Sequence, residues 1–193
     1  MRLVLASANP GKQREFEALL SPFGMSLTLQ SELGITSIEE SGTTFEANAL
    51  LKARHASRLS ALPALADDSG LEVDALGGRP GVRSARYAAD AASDEDNNAL
   101  LLHELQGVPA QRRTARYHCV LVLVRDASDP APLIARGSWE GRIGVRPAGD
   151  GGFGYDPLFL PEGQQCSAAQ LPPEVKNQLS HRGKALAALV AQL

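Results

Sequence analysis

The spacing of hydrophobic positions changes several times along the chain, and each change marks an element. Leu3-Val-Leu-Ala6 is a short continuous apolar run with the character of a buried strand. It breaks at Asn9-Pro10-Gly11, after which Phe16, Leu19 and Leu20 recur at helical spacing within Lys12–Leu20. Leu27–Gln30 suits a second strand. Thr43 and Glu46 have the form of a capping box that opens a helix running to about Leu59, with Phe45, Ala49, Ala53 and Ala56 on one face. Pro63–Ala66 reads as another short buried strand, ending on Asp67-Asp68-Ser69-Gly70. A helix is predicted over Asp94–Leu105, with Leu101, Leu102 and Leu105 as its apolar positions. The longest apolar run, Tyr117–Val124, reads as a central strand buried on both faces. Leu133–Val145 suits a hairpin or a bent pair. The glycine-dense Gly149–Gly154 leads into Asp156–Leu160, and a last helix covers about Gly183–Gln192. Strands and helices alternate early and strands crowd together later, so the pattern predicts an α/β fold with a mixed sheet. No internal repeat, low-complexity tract or long linker interrupts it.

Composition narrows the function classes. A chain of 193 residues, 44% of them hydrophobic, has material for one domain, or two lobes sharing a core, over residues 1–193. A net charge of −3 argues against a general nucleic-acid binder, yet a small anionic ligand needs only a few placed cations. Cys119 and Cys166 form neither a zinc spacing nor a disulfide framework, and Cys119 reads as a small core residue. The opening Leu3–Ala8 run is too short for a signal peptide or a membrane span, and no later segment approaches membrane length. The expectation is a cytoplasmic protein without membrane partners.

Four segments bear candidate chemistry. Ser7-Ala8-Asn9-Pro10-Gly11-Lys12 lies between a strand and a helix start, where free backbone N–H groups and the helix dipole favour phosphate and Lys12 adds a charge. It is not a Walker A loop, and an ordinary turn capped by Asn9 has the same composition. Glu39-Glu40 and Asp67-Asp68 are acidic points suited to Mg²⁺, which takes one or two carboxylates together with phosphate oxygens; solvated loop acids read alike. Asp68, expected at a strand end, is placed for a metal ligand or general base. Gly151-Gly-Phe-Gly-Tyr-Asp-Pro157 allows close backbone approach and offers a ring for base stacking, or serves as a turn. Lys176 to Gly183 brings three potential cations, Lys176, His181 and Arg182, ahead of a helix. By pattern alone, Lys52 and Arg54 belong to a solvated helix face.

Taken together and in order, these blocks are specific. Ser-Ala-Asn-Pro-Gly-Lys, Glu-Glu-Ser-Gly-Thr-Thr-Phe-Glu-Ala-Asn-Ala (39–49) and Ala-Asp-Asp-Ser-Gly-Leu (66–71) are joined by three more. Those are Leu-Gly-Gly-Arg-Pro-Gly-Val-Arg-Ser-Ala-Arg-Tyr (76–87), Gly-Gly-Phe-Gly-Tyr-Asp-Pro (151–157) and Ser-His-Arg-Gly (180–183). Over essentially its whole length the chain resembles the bacterial inosine/xanthosine triphosphate pyrophosphatases. The resemblance implies an elongated mixed β-sheet with flanking helices, forming two lobes around a central cleft, and a homodimer. It implies hydrolysis of the triphosphates ITP, dITP and XTP to the monophosphate and pyrophosphate, which clears them from the nucleotide pool. Ser7, Ala8, Asn9, Pro10, Gly11 and Lys12 match the triphosphate loop, and Glu39 and Asp68 match the Mg²⁺ ligands, with Asp68 also the proton acceptor. Ser69, Phe153, Gly154, Tyr155, Asp156, Lys176, His181 and Arg182 match nucleotide-binding positions, and Lys52 matches a lysine reaching the phosphates. Ser7 stands where many relatives have threonine, which keeps the hydroxyl. A non-catalytic nucleotide sensor and another phosphate-releasing enzyme are the rival classes, and product analysis separates them.

Overall fold

A computed structural model describes residues 2–7 and 9–193. Its strands are β1 (Arg2–Leu5), β2 (Ser26–Leu29), β3 (Ala64–Val73), β4 (Thr114–Val124), β5 (Leu133–Ile143) and β6 (Phe159–Pro161). Its α-helices are α1 (Pro10–Leu20), α2 (Phe45–Ser60), α3 (Asp94–Glu104), α4 (Pro173–Leu179) and α5 (His181–Val190). The strands form one sheet in the order β2-β1-β3-β4-β5-β6. β1 runs parallel to both β2 and β3, while β6 is antiparallel to β5, so the sheet is mixed as expected. Parallel neighbours need crossover connections, and α1 and α2 supply them between β1, β2 and β3. No described helix is long and apolar enough to cross a membrane.

The helix starts follow local chemistry. Asn9 caps α1 with its side-chain oxygen on the Gly11 and Lys12 amides, and Pro10 takes the first helical position, where no N–H is needed. α2 is capped by Thr44, one residue later than the sequence pattern suggests. The Thr44 hydroxyl accepts the Ala47 amide, while Glu46 pairs with Arg136, so the expected box does not close. α3 has a full capping box between Ser93 and Asp96.

Two strands depart from the sequence expectation. β3 does not end at Ala66 but continues for ten residues through Asp67, Asp68, Ser69 and Gly70. Leu133–Val145 is not a hairpin: β5 is one unbroken strand as far as Ile143. Gly141 stays in that strand because Phe159 and Leu160 pack where its side chain would be, at 2.7 and 2.5 Å from a built Cβ.

The chain divides into two compact units. The first comprises residues 1–68, 119–137 and 182–193, and the second residues 69–118 and 138–181. In the first, pleating sorts the strand residues by parity. Leu3, Leu5, Leu65, Cys119, Leu121 and Leu123 face Phe16 and Leu20 of α1 and Leu186 and Leu189 of α5. Val4, Ala6, Ala64, Ala66, Val120, Val122 and Val124 face Ala49, Ala53 and Ala56 of α2. In the second unit, Leu71, Val73, Tyr117, Trp139, Ile143 and Phe159 pack with Leu101 of α3 and with Leu105, which caps its end.

Candidate active site

The parity that sorts the first unit's core also separates Asp67 from Asp68. Asp67 follows Leu65 onto the face covered by α1 and α5, while Asp68 follows Ala64 and Ala66 onto the face covered by α2. Both are buried. One oxygen of Asp67 lies 3.0 Å from Lys12 Nζ and 3.0 Å from Arg182 Nε, and the other lies 3.4 Å from Cys119 Sγ. Arg182 donates through Nη1 to Glu15 at 2.8 Å. Burial alone would raise the Asp67 carboxyl, but the charges of Lys12, Arg182 and Lys52 outweigh it and hold the group far below the usual carboxylate range. Burial, reinforced by the Asp67 charge, drives the Cys119 thiol the other way, well above its usual value.

On the α2 face, Lys52 Nζ has three acceptors: Asp68 Oδ1 at 2.6 Å, Glu40 Oε1 at 2.7 Å and the Asp67 carbonyl at 2.9 Å. An ammonium has three protons, so this set uses them all. Asn48, fully buried on α2, donates to Asp68 Oδ2 at 3.4 Å and accepts the Gly42 amide at 2.8 Å. A side chain at Gly42 would meet Asn48 Oδ1 at 2.5 Å, which ties the loop after Glu40 to this helix. Burial raises Asp68, Lys52 opposes and Glu40 reinforces, and its pKa rises from 3.8 to about 6. Across both faces, three cations (Lys12, Lys52, Arg182) meet four carboxylates (Glu15, Glu40, Asp67, Asp68). Glu40 and Asp68 are hard oxygen donors converging on one positive point, which fits Mg²⁺ in kind and number. No described group of three or more acidic, histidine or cysteine side chains forms a closed metal cage.

At the start of α1, the Asn9 oxygen sits 2.8 Å from the Gly11 amide and 3.2 Å from the Lys12 amide, and Ser7 Oγ accepts the Asn9 amide at 3.1 Å. The side-chain oxygen thus holds the position that an anion takes at a helix N-terminus.

The second unit has a different character. Asp156, buried, accepts the Phe153 amide and the Lys176 ammonium through one oxygen, both at 2.9 Å. Lys176 Nζ lies 5.1 Å above the Phe153 ring, within cation–π range. Gly152 must be glycine, since a Cβ there would meet Asp156 Oδ2 at 2.1 Å. His181 is buried and stacks on Tyr117, with ring centres 4.6 Å apart and planes 7° from parallel.

The Ham1 family model matches residues 3–192. The chain belongs to the Ham1 family. It is 61% identical over its full length, and 96% of the relative's, to the dITP/XTP pyrophosphatase of Methylococcus capsulatus. It is 54% identical, with the same coverage, to the dITP/XTP pyrophosphatase of Vibrio parahaemolyticus. Among solved structures, a HAM1 protein from Coxiella burnetii aligns with a TM-score of 0.91 at 45% identity, covering 100% of this chain and 98% of that one.

In this Ham1-family chain the motif residues fall into two groups. Ser7, Asn9, Gly11, Lys12, Lys52, Asp68 and Arg182 belong to the first unit, whereas Ser69, Phe153, Gly154, Tyr155, Asp156, Lys176 and His181 belong to the second. Pro10 opens α1, and Ala8 lies outside the described residues. Several expected placements change. Asp68 lies inside β3, not at its end, because neighbouring cations neutralise both aspartates. Glu40, not Glu39, joins Lys52 and Asp68, while Glu39 is exposed. Tyr155 is a core residue whose hydroxyl donates to the Ser84 carbonyl at 2.8 Å, so its ring is not offered to a base. Arg182 is committed to two carboxylates, and Lys176 lies within α4 instead of ahead of a helix. Sequence reasoning missed Glu15, Asn48 and the role of Asp67. The last two stand inside the quoted motif blocks, which was the available signal, but Glu15 had none beyond its place on α1.

Proposed function

We propose that this Ham1-family chain hydrolyses dITP, XTP and ITP to the nucleoside monophosphate and pyrophosphate. The names of its full-length relatives support that substrate class, and the Lys52 cluster supports the chemistry. The observation that carries the reading is the buried carboxylate Asp68, 2.6 Å from Lys52 Nζ, with a second carboxylate, Glu40, on the same ammonium, a setting in which burial raises Asp68 to about 6. A base of that strength is matched to neutral pH.

In the reaction, a water oxygen bonds to the α-phosphorus and the bridging P–O bond to the β-phosphate breaks. Asp68 receives the water's proton, and pyrophosphate departs. Lys12 and the Gly11 and Lys12 amides meet the phosphate charge once the Asn9 oxygen gives way to it. Lys52 keeps Asp68 oriented, and Asp67, bracketed by Lys12 and Arg182, fixes the Lys12 ammonium. Glu40 and Asp68 would hold Mg²⁺, which when bound supplies positive charge to phosphate oxygens. In the second unit Phe153 is the stacking ring for the purine, Lys176 lies over that ring, and His181 is a further polar side chain of the same unit. A donor suits the 6-oxo group of hypoxanthine or xanthine and is mismatched with the 6-amino group of adenine. Homodimeric assembly and a cytoplasmic location complete the reading and rest on the family resemblance.

The decisive experiment is turnover of dITP with Mg²⁺ in ¹⁸O-labelled water. Label in the monophosphate with intact pyrophosphate is the expected result. Orthophosphate released together with nucleoside diphosphate would refute a pyrophosphatase.

A further inference from the structure

Phe153 sits in a backbone with little stiffness of its own. Glycines occupy positions 149, 151, 152 and 154, and three of them, Gly149, Gly152 and Gly154, adopt positive φ. Glycine-rich chain has many accessible conformations, so a ring carried on it takes a single pose only if something outside holds it. One hold is Asp156 on the Phe153 amide. Another comes from α3. Asp94 accepts the Gly154 amide at 2.6 Å, and Asn98 Nδ2 donates to the Gly154 carbonyl at 2.8 Å. The same Asn98 nitrogen donates to the Asp94 carbonyl at 2.8 Å. Asp94 and Asn98 stand four residues apart, one turn along the same helix face, so a single rigid element grips both backbone groups of the residue that follows the ring. Ser93 and Asp96 close the capping box under that turn, which fixes the helix end from which the grip is made.

We propose that Asp94 and Asn98 are positioning residues that set the pose of the Phe153 ring and thereby the affinity for the purine base. They act through Gly154. The inference rests on the reading of Phe153 as the base platform and deepens it. Because neither residue belongs to the phosphate-handling cluster of the first unit, their loss should appear in KM and leave kcat nearly unchanged.

The test measures kcat and KM for dITP in Asp94→Ala, Asp94→Asn, Asn98→Ala and Phe153→Ala, and in the double variant Asp94→Ala/Phe153→Ala. Asp94→Ala and Asn98→Ala should each raise KM about tenfold with kcat within about twofold. Asp94→Asn should recover most of the loss, because its amide oxygen still accepts the Gly154 N–H. In the Phe153→Ala background, Asp94→Ala should add nothing further. Asp94 is exposed, so its variants keep the test sound even if Asn98→Ala folds poorly. A raised KM in Phe153→Ala with none in Asp94→Ala overturns the positioning role, and so do single effects that multiply in the double variant. An unchanged KM in Phe153→Ala overturns the base-platform reading itself, and the proposal with it.

Discussion

Asp67 and Asp68 are chemically identical neighbours on one strand, yet the fold gives them opposite protonation behaviour. The pleat of β3 sends Asp67 to the α1 and α5 face, where two cations meet it, and Asp68 to the α2 face, where one lysine is shared with Glu40. The first carboxyl is locked as an anion, while the second is raised to about 6. The lesson is that burial sets the scale of a shift, and the count of opposing charges on each face sets its sign.

The largest way to break that contrast is Asp68→Asn. It removes the proton acceptor while keeping the size and the Asn48 and Lys52 neighbours, and should lower kcat by about a thousandfold, with the far-UV spectrum unchanged. Near-wild-type turnover would remove Asp68 from the mechanism.

Asp67→Asn breaks the other half. It leaves the buried Arg182 and the half-buried Lys12 without their shared anion, and should cost about 3 kcal/mol of stability in urea unfolding. A loss below the error of the measurement would mean that Glu15 alone satisfies Arg182.

The two carboxylates should also bend the stability profile in opposite directions. Asp67, depressed in the fold, contributes stability above its unfolded value, lost as pH falls below that value and onward through its folded one. Asp68 is raised from 3.8 to about 6, so the folded state binds more protons in that window and stability falls as pH rises through it. Melting temperatures of chelator-treated protein between pH 4 and about 7 should therefore fall less steeply in Asp68→Asn than in wild type. Parallel curves would contradict the raised carboxyl.

The smallest effect sharpens the second ligand. Glu40→Gln should lower Mg²⁺-dependent kcat/KM about tenfold, and Glu39→Gln should stay within about twofold. The reverse ranking would restore Glu39 as the working carboxylate.

Much of the fold was legible because its signals are local. Asn9-Pro10 marks the break before a helix, Leu101, Leu102 and Leu105 recur at helical spacing, and the apolar run Tyr117–Val124 marks a strand whose later residues are covered on both faces. β3 was cut short because two consecutive aspartates look like a loop until their cations are known. Arg182, which neutralises one of them, lies 115 residues away in sequence. The pairing of Glu40 with Lys52 was equally hidden, since adjacent residues in a segment without regular structure face different ways and no periodicity says which. His181 and Arg182 looked alike as neighbouring potential cations, although consecutive residues at a helix start point apart, and these two fall in different units. The motif blocks located segments in which charged side chains meet, and which of them pair was set by the tertiary structure.

The thiol beside Asp67 has a bearing on chemical durability. Oxidants and alkylating reagents attack the thiolate, and Cys119 is kept protonated by burial and by the neighbouring carboxylate, out of reach on β4 beneath α1 and α5. Reagents should therefore modify the partly exposed Cys166 first. Peroxide should likewise leave this cluster chemically intact for as long as the chain stays folded.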